Sequence, residues 1–279
     1  MSDTRNVVSL SGGKDSTALW LWARRTGLDP VAVYIDTGWE WDGHHGYLDL
    51  LEAKVGHLHR IAPSGSFEDA TRKKKSFPSR VRKWCTEELK LKPFRDWLDE
   101  YRDLAAVDVR VLVGIRREEG GDRADPEKFP EREWSDFYDC EVFRPILDWT
   151  IEDVIREHHR AGVPLHPLYH HGAERVGCFP CVNASKAELA IVGRLAPERV
   201  AQIRDLETEM GATMFVEDIR TEKERNGGEG PSVRPIGIDE VMVWARTARG
   251  GKQLTLFQPR TGCARWGICD LPKPSGAAQ

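Results

Sequence analysis

The strongest constraint on the fold is a Ser/Gly-rich stretch close to the amino terminus. Val7 and Val8 lead into Ser9-Leu10-Ser11-Gly12-Gly13-Lys14-Asp15-Ser16-Thr17, and an apolar run follows. β-Branched residues favour a strand, paired glycines allow a tight turn, and the apolar run after them is typical of a helix. Backbone N–H groups at such a turn, together with the positive end of the helix dipole, attract an anion. The stretch therefore predicts a strand, a phosphate-binding loop and a helix.

Further strands and helices alternate along the first half of the chain. Val31–Ile35 and Val109–Val113 are short β-branched runs that suit buried parallel strands, and residues 57–62 form a third candidate. Helical patterns cover residues 47–55, 85–101 and 151–161, the last between Thr150 and Gly162. Strands separated by helices imply right-handed βαβ units. We therefore predict an α/β fold with a doubly wound, mostly parallel, Rossmann-like sheet.

The pattern changes after about residue 184. Residues 1–184 are predicted to form a nucleotide-binding domain with a basic insert, and residues 185–279 a mostly helical region with a Cys-containing end. A Gly-rich break at 226–230 predicts a surface loop, and the Pro/Gly/Ala-rich tail after Leu271 predicts disorder.

Composition excludes several classes of protein. With 279 residues, a net charge of −4 and a pI near 6.2, the chain has room for a large core and no global attraction to nucleic acid. Apolar runs stay well below the ~20 residues of a membrane span, and the start of the chain leaves no room for a signal peptide. A cytoplasmic protein is therefore expected, and in that compartment its six cysteines favour metal or redox chemistry over disulfides.

The loop also carries a family signature. Its spacing differs from a Walker A loop, which has four residues between the first glycine and the Gly-Lys pair. Ser11-Gly12-Gly13-Lys14-Asp15-Ser16 instead resembles the PP-loop of the adenine nucleotide α-hydrolase-like superfamily. That resemblance implies that Ser9 and residues 11–17 hold the phosphates of ATP or a related adenylyl nucleotide.

Four further segments follow in the order found in the phosphoadenosine phosphosulfate (PAPS) reductase family. They are Asp36-Thr37-Gly38-Trp39, Cys85-Thr-Glu-Glu-Leu-Lys90-Leu-Lys-Pro93, Gly114-Ile-Arg116-Arg117, and the run from Pro145 to Gly177-Cys178-Phe-Pro-Cys181. The resemblance covers about residues 5–190. It implies that Ile35, Asp36, Thr37 and Gly38 line the adenine and ribose, and that Gly114, Arg116 and Arg117 contact the nucleotide.

The chain also departs from the reductase pattern. Thr86 replaces the second cysteine of the reductases' Cys-Cys pair, and Gly262-Cys263-Ala-Arg-Trp-Gly-Ile-Cys269 stands in place of their C-terminal Glu-Cys-Gly-Leu/Ile-His. The complete PP-loop is closer to members that cleave ATP next to its α-phosphate, such as sulfate adenylyltransferase and the ATP-using component of DNA phosphorothioation systems. A reductase activity therefore does not follow from the family resemblance.

The cysteines predict a metal centre. Cys178 and Cys181 can bind one metal from a single tight turn, and Cys85 with Cys263 or Cys269 completes four thiolates. The family resemblance favours a [4Fe–4S] cluster, structural zinc is the alternative, and a three-cysteine cluster with an open iron also fits. Cys140 is predicted to be a small buried apolar residue.

Two groups of charged or aromatic residues are more ambiguous. The basic strip, residues 72–83, is either a solvated face or a binding site for sulfonucleotide phosphates or a nucleic-acid backbone, with Phe77 and Trp84 as stacking platforms. The adjacent pairs His44-His45 and His170-His171 are predicted to be loop residues without a metal role.

These features predict an enzyme of ATP-pyrophosphatase type. Lys14, Asp15 and Arg116 are its candidate catalytic residues, because Lys14 and Arg116 can stabilise charge on the α-phosphate or the departing pyrophosphate. Asp15 and Asp36 can hold Mg²⁺, or Asp15 caps the following helix. Sulfur then displaces AMP from the activated acceptor.

Three alternatives stay open. One is a sulfonucleotide reductase, in which Cys263 or Cys269 attacks sulfur and a thioredoxin resolves the product. Another is a non-catalytic, metal-stabilised adaptor that binds nucleotide. The last is a sulfate-activating subunit, which would not need Cys178 and Cys181. A protein sulfur donor and self-association into a homo-oligomer are further partners consistent with the sequence, whereas a membrane is not expected.

Overall fold

A six-stranded sheet forms the centre of the molecule. The computed structural model describes residues 4–79, 81–217 and 234–247. The strands are β1 (Thr4–Leu10), β2 (Val31–Ile35), β3 (Leu58–Ile61), β4 (Asp108–Leu112), β5 (Arg132–Ser135) and β6 (Cys140–Phe143). They lie in the order β3-β2-β1-β4-β6-β5, with every pair parallel except β5 and β6. This sheet confirms the predicted α/β, doubly wound and mostly parallel fold.

Ten α-helices and two short 3₁₀ helices, Arg117–Glu119 and Gly121–Ala124, are present in the described ranges, and the α-helices are numbered in chain order. They are α1 (Lys14–Arg25), α2 (His44–Val55), α3 (Phe67–Lys74), α4 (Trp84–Thr86), α5 (Lys92–Ala105), α6 (Ile151–Ala161), α7 (Pro167–His170), α8 (Lys186–Leu195), α9 (Pro197–Met210) and α10 (Ile238–Arg246). A π-helical turn, Glu87–Leu91, joins α4 to α5. None of the helices described here has the length and apolar character needed to cross a bilayer.

Helix α6 begins and ends where the capping residues in its sequence predict. The Thr150 hydroxyl accepts the Asp153 N–H at 3.3 Å, which satisfies one of the unpaired donors of the first turn. At the other end Gly162 takes the left-handed conformation, with φ of 62°. The predicted range 151–161 is confirmed because both of its ends are set by neighbours in the sequence.

The central strand explains why the loop is held firmly. Val7 and Val8 are both 0% exposed, and consecutive strand residues point to opposite faces of a sheet. Val7 packs in one core with Phe94 and Leu98, whereas Val8 packs in another with Leu19 and Leu48. Since helices cover both faces, β1 delivers its following loop to the carboxyl edge of the sheet, where ligands of such folds bind.

The region after residue 184 is helical with one addition. Helices α8, α9 and α10 are joined by a short antiparallel pair, β7 (Phe215–Glu217) with β8 (Arg234–Ile236). The sequence analysis predicted a mostly helical region and named no strand in it, because three-residue strands are too short to show a period. The Gly-rich break at 226–230 and the tail after Leu271 lie outside the described residues. The boundary at residue 184 stays a prediction.

Candidate functional site

The loop between β1 and α1 is held in shape by its own hydroxyls. The Ser16 Oγ accepts the Ser11 N–H at 3.1 Å and lies 3.0 Å from the Ser11 Oγ. Gly12 has a φ of 70°, which only glycine adopts without strain. A loop whose backbone is already fixed loses little entropy when it binds an anion.

Lys14, Asp15 and Arg116 form a continuous chain of charges beside this loop. The two Asp15 oxygens lie 2.7 Å from the Lys14 Nζ and 2.6 Å from the Arg116 Nε. Burial by itself raises the pKa of Asp15, but the two cations outweigh it and hold that pKa below 3.8. The three predicted catalytic residues are therefore adjacent, with Asp15 as the ion that orients the two cations.

Gly114 lets the end of β4 approach this chain closely. A Cβ on Gly114 would lie 3.0 Å from the Ser16 Cα and 3.1 Å from the Asp15 carbonyl oxygen. Two residues later, Arg116 donates to the Trp149 carbonyl at 3.1 Å, and its side chain is 4% exposed. The absence of a side chain at Gly114 therefore allows Arg116 to reach Asp15.

Two contacts beneath the loop were not anticipated from the sequence. The Lys14 N–H donates to the Tyr169 hydroxyl at 3.1 Å, and the His158 Nε2 lies 2.9 Å from the Lys14 carbonyl oxygen. Tyr169 belonged to a segment noted for its family resemblance, yet nothing in the sequence indicates that it touches the loop. These contacts join residues more than 140 positions apart, and no local pattern encodes them.

The prediction that the paired histidines lie in loops is wrong for His44, His45 and His170. His44 and His45 begin α2, and His170 ends α7. His44 is 1% exposed, and its Nδ1 lies 3.0 Å from the Nε2 of His166. Helical spacing of apolar residues starts only at Tyr47, which hid the first turn of α2 from sequence analysis.

The segment after β2 contributes mainly to its own conformation. The Asp36 Oδ1 accepts the Gly38 N–H at 2.9 Å, and the Thr37 hydroxyl donates to the buried Glu40 at 2.6 Å. Ile35 lines a small cavity of about 180 Å³ together with Ser9 and Ser11. These residues lie at the predicted sheet edge.

Arg117 stands apart from the other predicted nucleotide-binding residues. Its Nε donates to Asp148 at 2.8 Å, and it does not line the cleft that its neighbour Arg116 lines. Arg123, further along, does line the cleft.

One cleft joins the loop to the cysteines. It has a volume of about 1030 Å³, and its lining includes both Lys14 and Arg116 and both Cys178 and Cys181. The cysteine turn is fixed against the segment after β2, since the Phe179 N–H donates to the Trp39 carbonyl at 2.7 Å and the Trp39 indole donates to the Pro180 carbonyl at 3.0 Å. Residues from three distant parts of the sequence thus share one cavity.

Lys90 lies among the thiols. Burial lowers the pKa of this ammonium group, but Cys178, Glu40, Cys181 and Cys85 act in the opposite direction and the pKa is raised overall. Burial also raises the pKa of the Cys178 and Cys85 thiols, and Lys90 opposes that effect at both. The three cysteines and Lys90 therefore form one electrostatically linked group, which we call the thiol wall.

The described residues do not by themselves form a metal site. Across residues 4–79, 81–217 and 234–247, no three or more His, Cys, Asp or Glu side chains are placed to ligate one ion. Cys263 and Cys269 lie outside these ranges. Asp15 already contacts two cations, a geometry that suits an ion pair better than Mg²⁺ ligation. The predicted [4Fe–4S] cluster, zinc and Mg²⁺ stay predictions, and we derive no chemical step through them.

The basic strip is partly neutralised. Arg72 donates to Glu209 at 2.8 Å, and Lys74 lies 2.9 Å from Glu88. Trp84 is 6% exposed and stacks on Phe67 in the core, so its predicted role as a stacking platform is wrong. Phe77 packs against the same core. Cys140, by contrast, is 2% exposed and confirms the prediction of a small buried residue.

Comparison with known proteins assigns the family. Residues 5–184 match the phosphoadenosine phosphosulfate reductase domain, so the chain belongs to that family. It is 30% identical to an uncharacterized 37.8 kDa protein of Escherichia phage 186, over 96% of this chain and 97% of that protein. It is 32% identical to an uncharacterized protein of Methanocaldococcus jannaschii, over 68% of this chain and 44% of that protein. The adenosine 5'-phosphosulfate reductase of Salinibacter ruber is 28% identical over 34% of this chain and 33% of its own length.

Solved structures with a related fold are more distant. The PAPS reductase from Candida auris in a phosphate complex has a TM-score of 0.48 and 17% identity, covering 63% of this chain and 81% of its own. The FMN adenylyltransferase from Candida glabrata with FAD and inorganic pyrophosphate has a TM-score of 0.42 and 18% identity, covering 62% of this chain and 55% of its own.

Proposed function

We propose that the chain is an enzyme that binds ATP, or a related adenylyl nucleotide, and cleaves it next to the α-phosphate to activate an acceptor for sulfur transfer. The observation that carries this proposal is the shared cleft of about 1030 Å³, whose lining includes the Lys14–Asp15–Arg116 chain as well as Cys178 and Cys181. A cavity of this volume is large enough for a nucleotide and a second substrate. Membership of the PAPS reductase family supports an adenylyl nucleotide as the ligand.

The first step needs positioning and charge stabilisation rather than a protein nucleophile. An oxygen of the acceptor attacks the α-phosphorus and forms a new O–P bond, while the bond to the bridging oxygen breaks and its electron pair leaves with pyrophosphate. Lys14 and Arg116 stabilise the negative charge that develops on the departing pyrophosphate. Asp15 keeps both cations in place through contacts of 2.7 and 2.6 Å.

The second step is displacement of AMP. A hydrosulfide ion forms a bond to the acceptor atom that is bonded to the adenylated oxygen. The bond between that atom and the oxygen breaks, and its electron pair leaves with AMP. When a persulfide donor protein supplies the sulfur, the same displacement leaves a mixed disulfide between acceptor and donor, and a second thiol of the donor cleaves it by forming a disulfide with the donor cysteine. Cys178 and Cys181 lie along the cleft where this sulfur enters.

Pyrophosphate release from ATP tests the proposal. The full chain is incubated with ATP, alone and with DNA or tRNA as acceptor. We expect Lys14→Ala to lower the rate roughly 100-fold or more, the loss typical when a group that stabilises transition-state charge is removed. Lys54→Ala, at an exposed lysine in the last turn of α2, is the matched control and keeps the rate. Unchanged release in Lys14→Ala would refute this role for Lys14.

A sulfonucleotide reductase is the second candidate, favoured by the similarity to the adenosine 5'-phosphosulfate reductase of Salinibacter ruber. It predicts sulfite release from adenosine phosphosulfate or PAPS, with thioredoxin and without ATP. Binding of nucleotide without turnover in either assay would instead support a non-catalytic adaptor.

A further inference from the structure

A buried histidine lies directly beneath the phosphate-binding loop. A Cβ on Gly12 would lie 2.7 Å from the Cε1 and 3.2 Å from the Nε2 of His44, so this edge of the imidazole faces the loop. The side chain is 1% exposed, and the Tyr34 ring flanks it at a centroid distance of 5.1 Å. His44 is therefore buried, with the Cε1–Nε2 edge of its ring against Gly12 of the loop.

The hydrogen bonds fix which nitrogen of His44 carries the proton. The Leu168 backbone N–H donates to the Nδ1 of His166 at 3.1 Å, so that nitrogen is unprotonated. A neutral His166 then carries its proton on Nε2 and donates it to the Nδ1 of His44 at 3.0 Å. His44 in turn must carry its own proton on Nε2.

Both rings are neutral at pH 7, which this proton assignment requires. Burial, helped by the nearby His45, lowers the pKa of His44 to about 4. Burial also lowers the pKa of His166 well below 6.5. The pair is thus a chain of neutral donors that starts at a backbone amide and ends at the His44 Nε2–H.

This terminal N–H has no hydrogen-bond partner among the described residues. A buried donor without a partner is costly, and native proteins rarely keep one without a reason. We propose that the His44 Nε2–H is a donor for the anion held in the loop, a phosphate or pyrophosphate group. This inference rests on the proposed function, and it adds a binding residue beneath the loop to the charged residues beside it.

Pyrophosphate affinity of the full chain tests this role, measured by isothermal titration calorimetry with inorganic pyrophosphate. A hydrogen bond to a charged acceptor implies that His44→Leu weakens binding roughly 10- to 100-fold. His44→Gln, whose amide can place a donor near the former Nε2, recovers most of the affinity. His59→Gln, on β3 with its ring centroid 5.4 Å from that of Trp97, is the control and binds like the wild type. Equal affinity in wild type and a folded His44→Leu overturns the inference.

The wild-type protein provides a second test that needs no substitution. In ¹⁵N spectra of histidine-labelled protein at pH 7, we expect His44 as the Nε2–H tautomer and a shift of its Nε2 resonance when pyrophosphate is added. An Nδ1–H tautomer, or no shift on saturation, overturns the inference and leaves the nucleotide site intact. A wild type that binds neither pyrophosphate nor ATP refutes the proposed function, and the role of His44 with it.

Discussion

The phosphate-binding loop lines the same cleft as Cys178, Cys181 and Lys90 of the thiol wall, yet the two regions differ in how far the protein has prepared them. In the loop, hydroxyls, backbone groups and the Lys14–Asp15–Arg116 chain contact one another at 2.6 to 3.1 Å. In the thiol wall, burial keeps the pKa of Cys85 and Cys178 above the usual 9.0, and the described residues form no metal-ligating group. The loop already has the fixed shape and the cations that an anion needs, whereas the thiols form no complete metal site within the described residues.

The difference has a simple physical origin. The loop is bounded by a strand and a helix that adjoin it in the sequence, so fixing its shape costs little additional conformational entropy. The thiol wall joins Cys85 to a turn more than 90 residues later, and a buried thiolate needs a cation or a metal to offset desolvation. Lys90 supplies one positive charge for three thiols.

Removing the central carboxylate of the loop has the largest expected effect. Asp15→Ala removes the carboxylate shared by Lys14 and the buried Arg116, whose side chain is 4% exposed, and leaves Arg116 with Glu118 as its carboxylate partner. Breaking a buried pair costs about 3–5 kcal/mol of unfolding free energy, and the remaining Glu118 contact places this variant at the lower end, about 3 kcal/mol. Urea unfolding measures it, with Asp49→Ala as control, because that carboxylate is 68% exposed in its pair with Arg60. Equal losses in the two variants would show that the chain contributes no special stability.

We expect acid to lower the free energy of unfolding, because buried histidines lie beneath the loop. The pKa values of His44, His158 and His166 are all lowered, mainly by burial, and that of His44 to about 4 from 6.5. Between pH 6.5 and about 4, His44 of the unfolded chain binds more protons than His44 of the folded protein, so the free energy of unfolding falls as the pH falls. For His44 alone the loss amounts to roughly 3 kcal/mol near pH 4.

Urea unfolding at several pH values between 7 and 4 measures this slope. His44→Leu should show a shallower slope than the wild type, because one of the three groups no longer titrates. A wild type that gains stability toward pH 4, or an unchanged slope in the variant, would contradict the assignment of His44 as a neutral buried residue.

Filling the space between the loop and His44 should have an intermediate effect. Gly12→Ala adds both left-handed strain and a contact 2.7 Å from the His44 Cε1, whereas Gly27→Ala adds strain alone, since nothing lies within 4 Å of its Cβ. Strain costs about 1–2 kcal/mol in each, and overpacking adds about 1–3 kcal/mol in Gly12→Ala only. Thermal unfolding of both variants separates the two contributions, and equal melting temperatures would exclude the clash.

Substitutions in the thiol wall should have the smallest effect on the pyrophosphate affinity of the loop. After anaerobic purification we expect iron and sulfide in the wild type, as predicted for a [4Fe–4S] cluster, and their loss in Cys178→Ala. Cys140→Ala, in the core of the sheet, is the control and keeps both. Pyrophosphate affinity should stay within about twofold in both variants, because no thiol contributes to the loop contacts. Zinc in place of iron would support the alternative metal, and a metal-free protein would refute the cluster.

Local patterns were enough to predict most of the fold. Val31–Ile35 was predicted to the residue, and the ends of α6 followed from Thr150 and Gly162. Lys14, Asp15 and Arg116 were recognised through motifs, and the structure places them in direct contact. Sequence analysis did not predict short or weakly periodic elements, such as the first turn of α2 and the β7–β8 pair.

By itself, the sequence determined that a strand, a phosphate-binding loop and a helix begin this chain, because β-branched residues, paired glycines and an apolar helix act within a few positions of one another. Only the tertiary structure decided what lies beneath that loop. His44 meets His166, and Lys14 meets Tyr169, across more than 120 residues of chain. Such contacts depend on how helices pack against the sheet, and packing selects partners by shape and burial rather than by distance along the sequence.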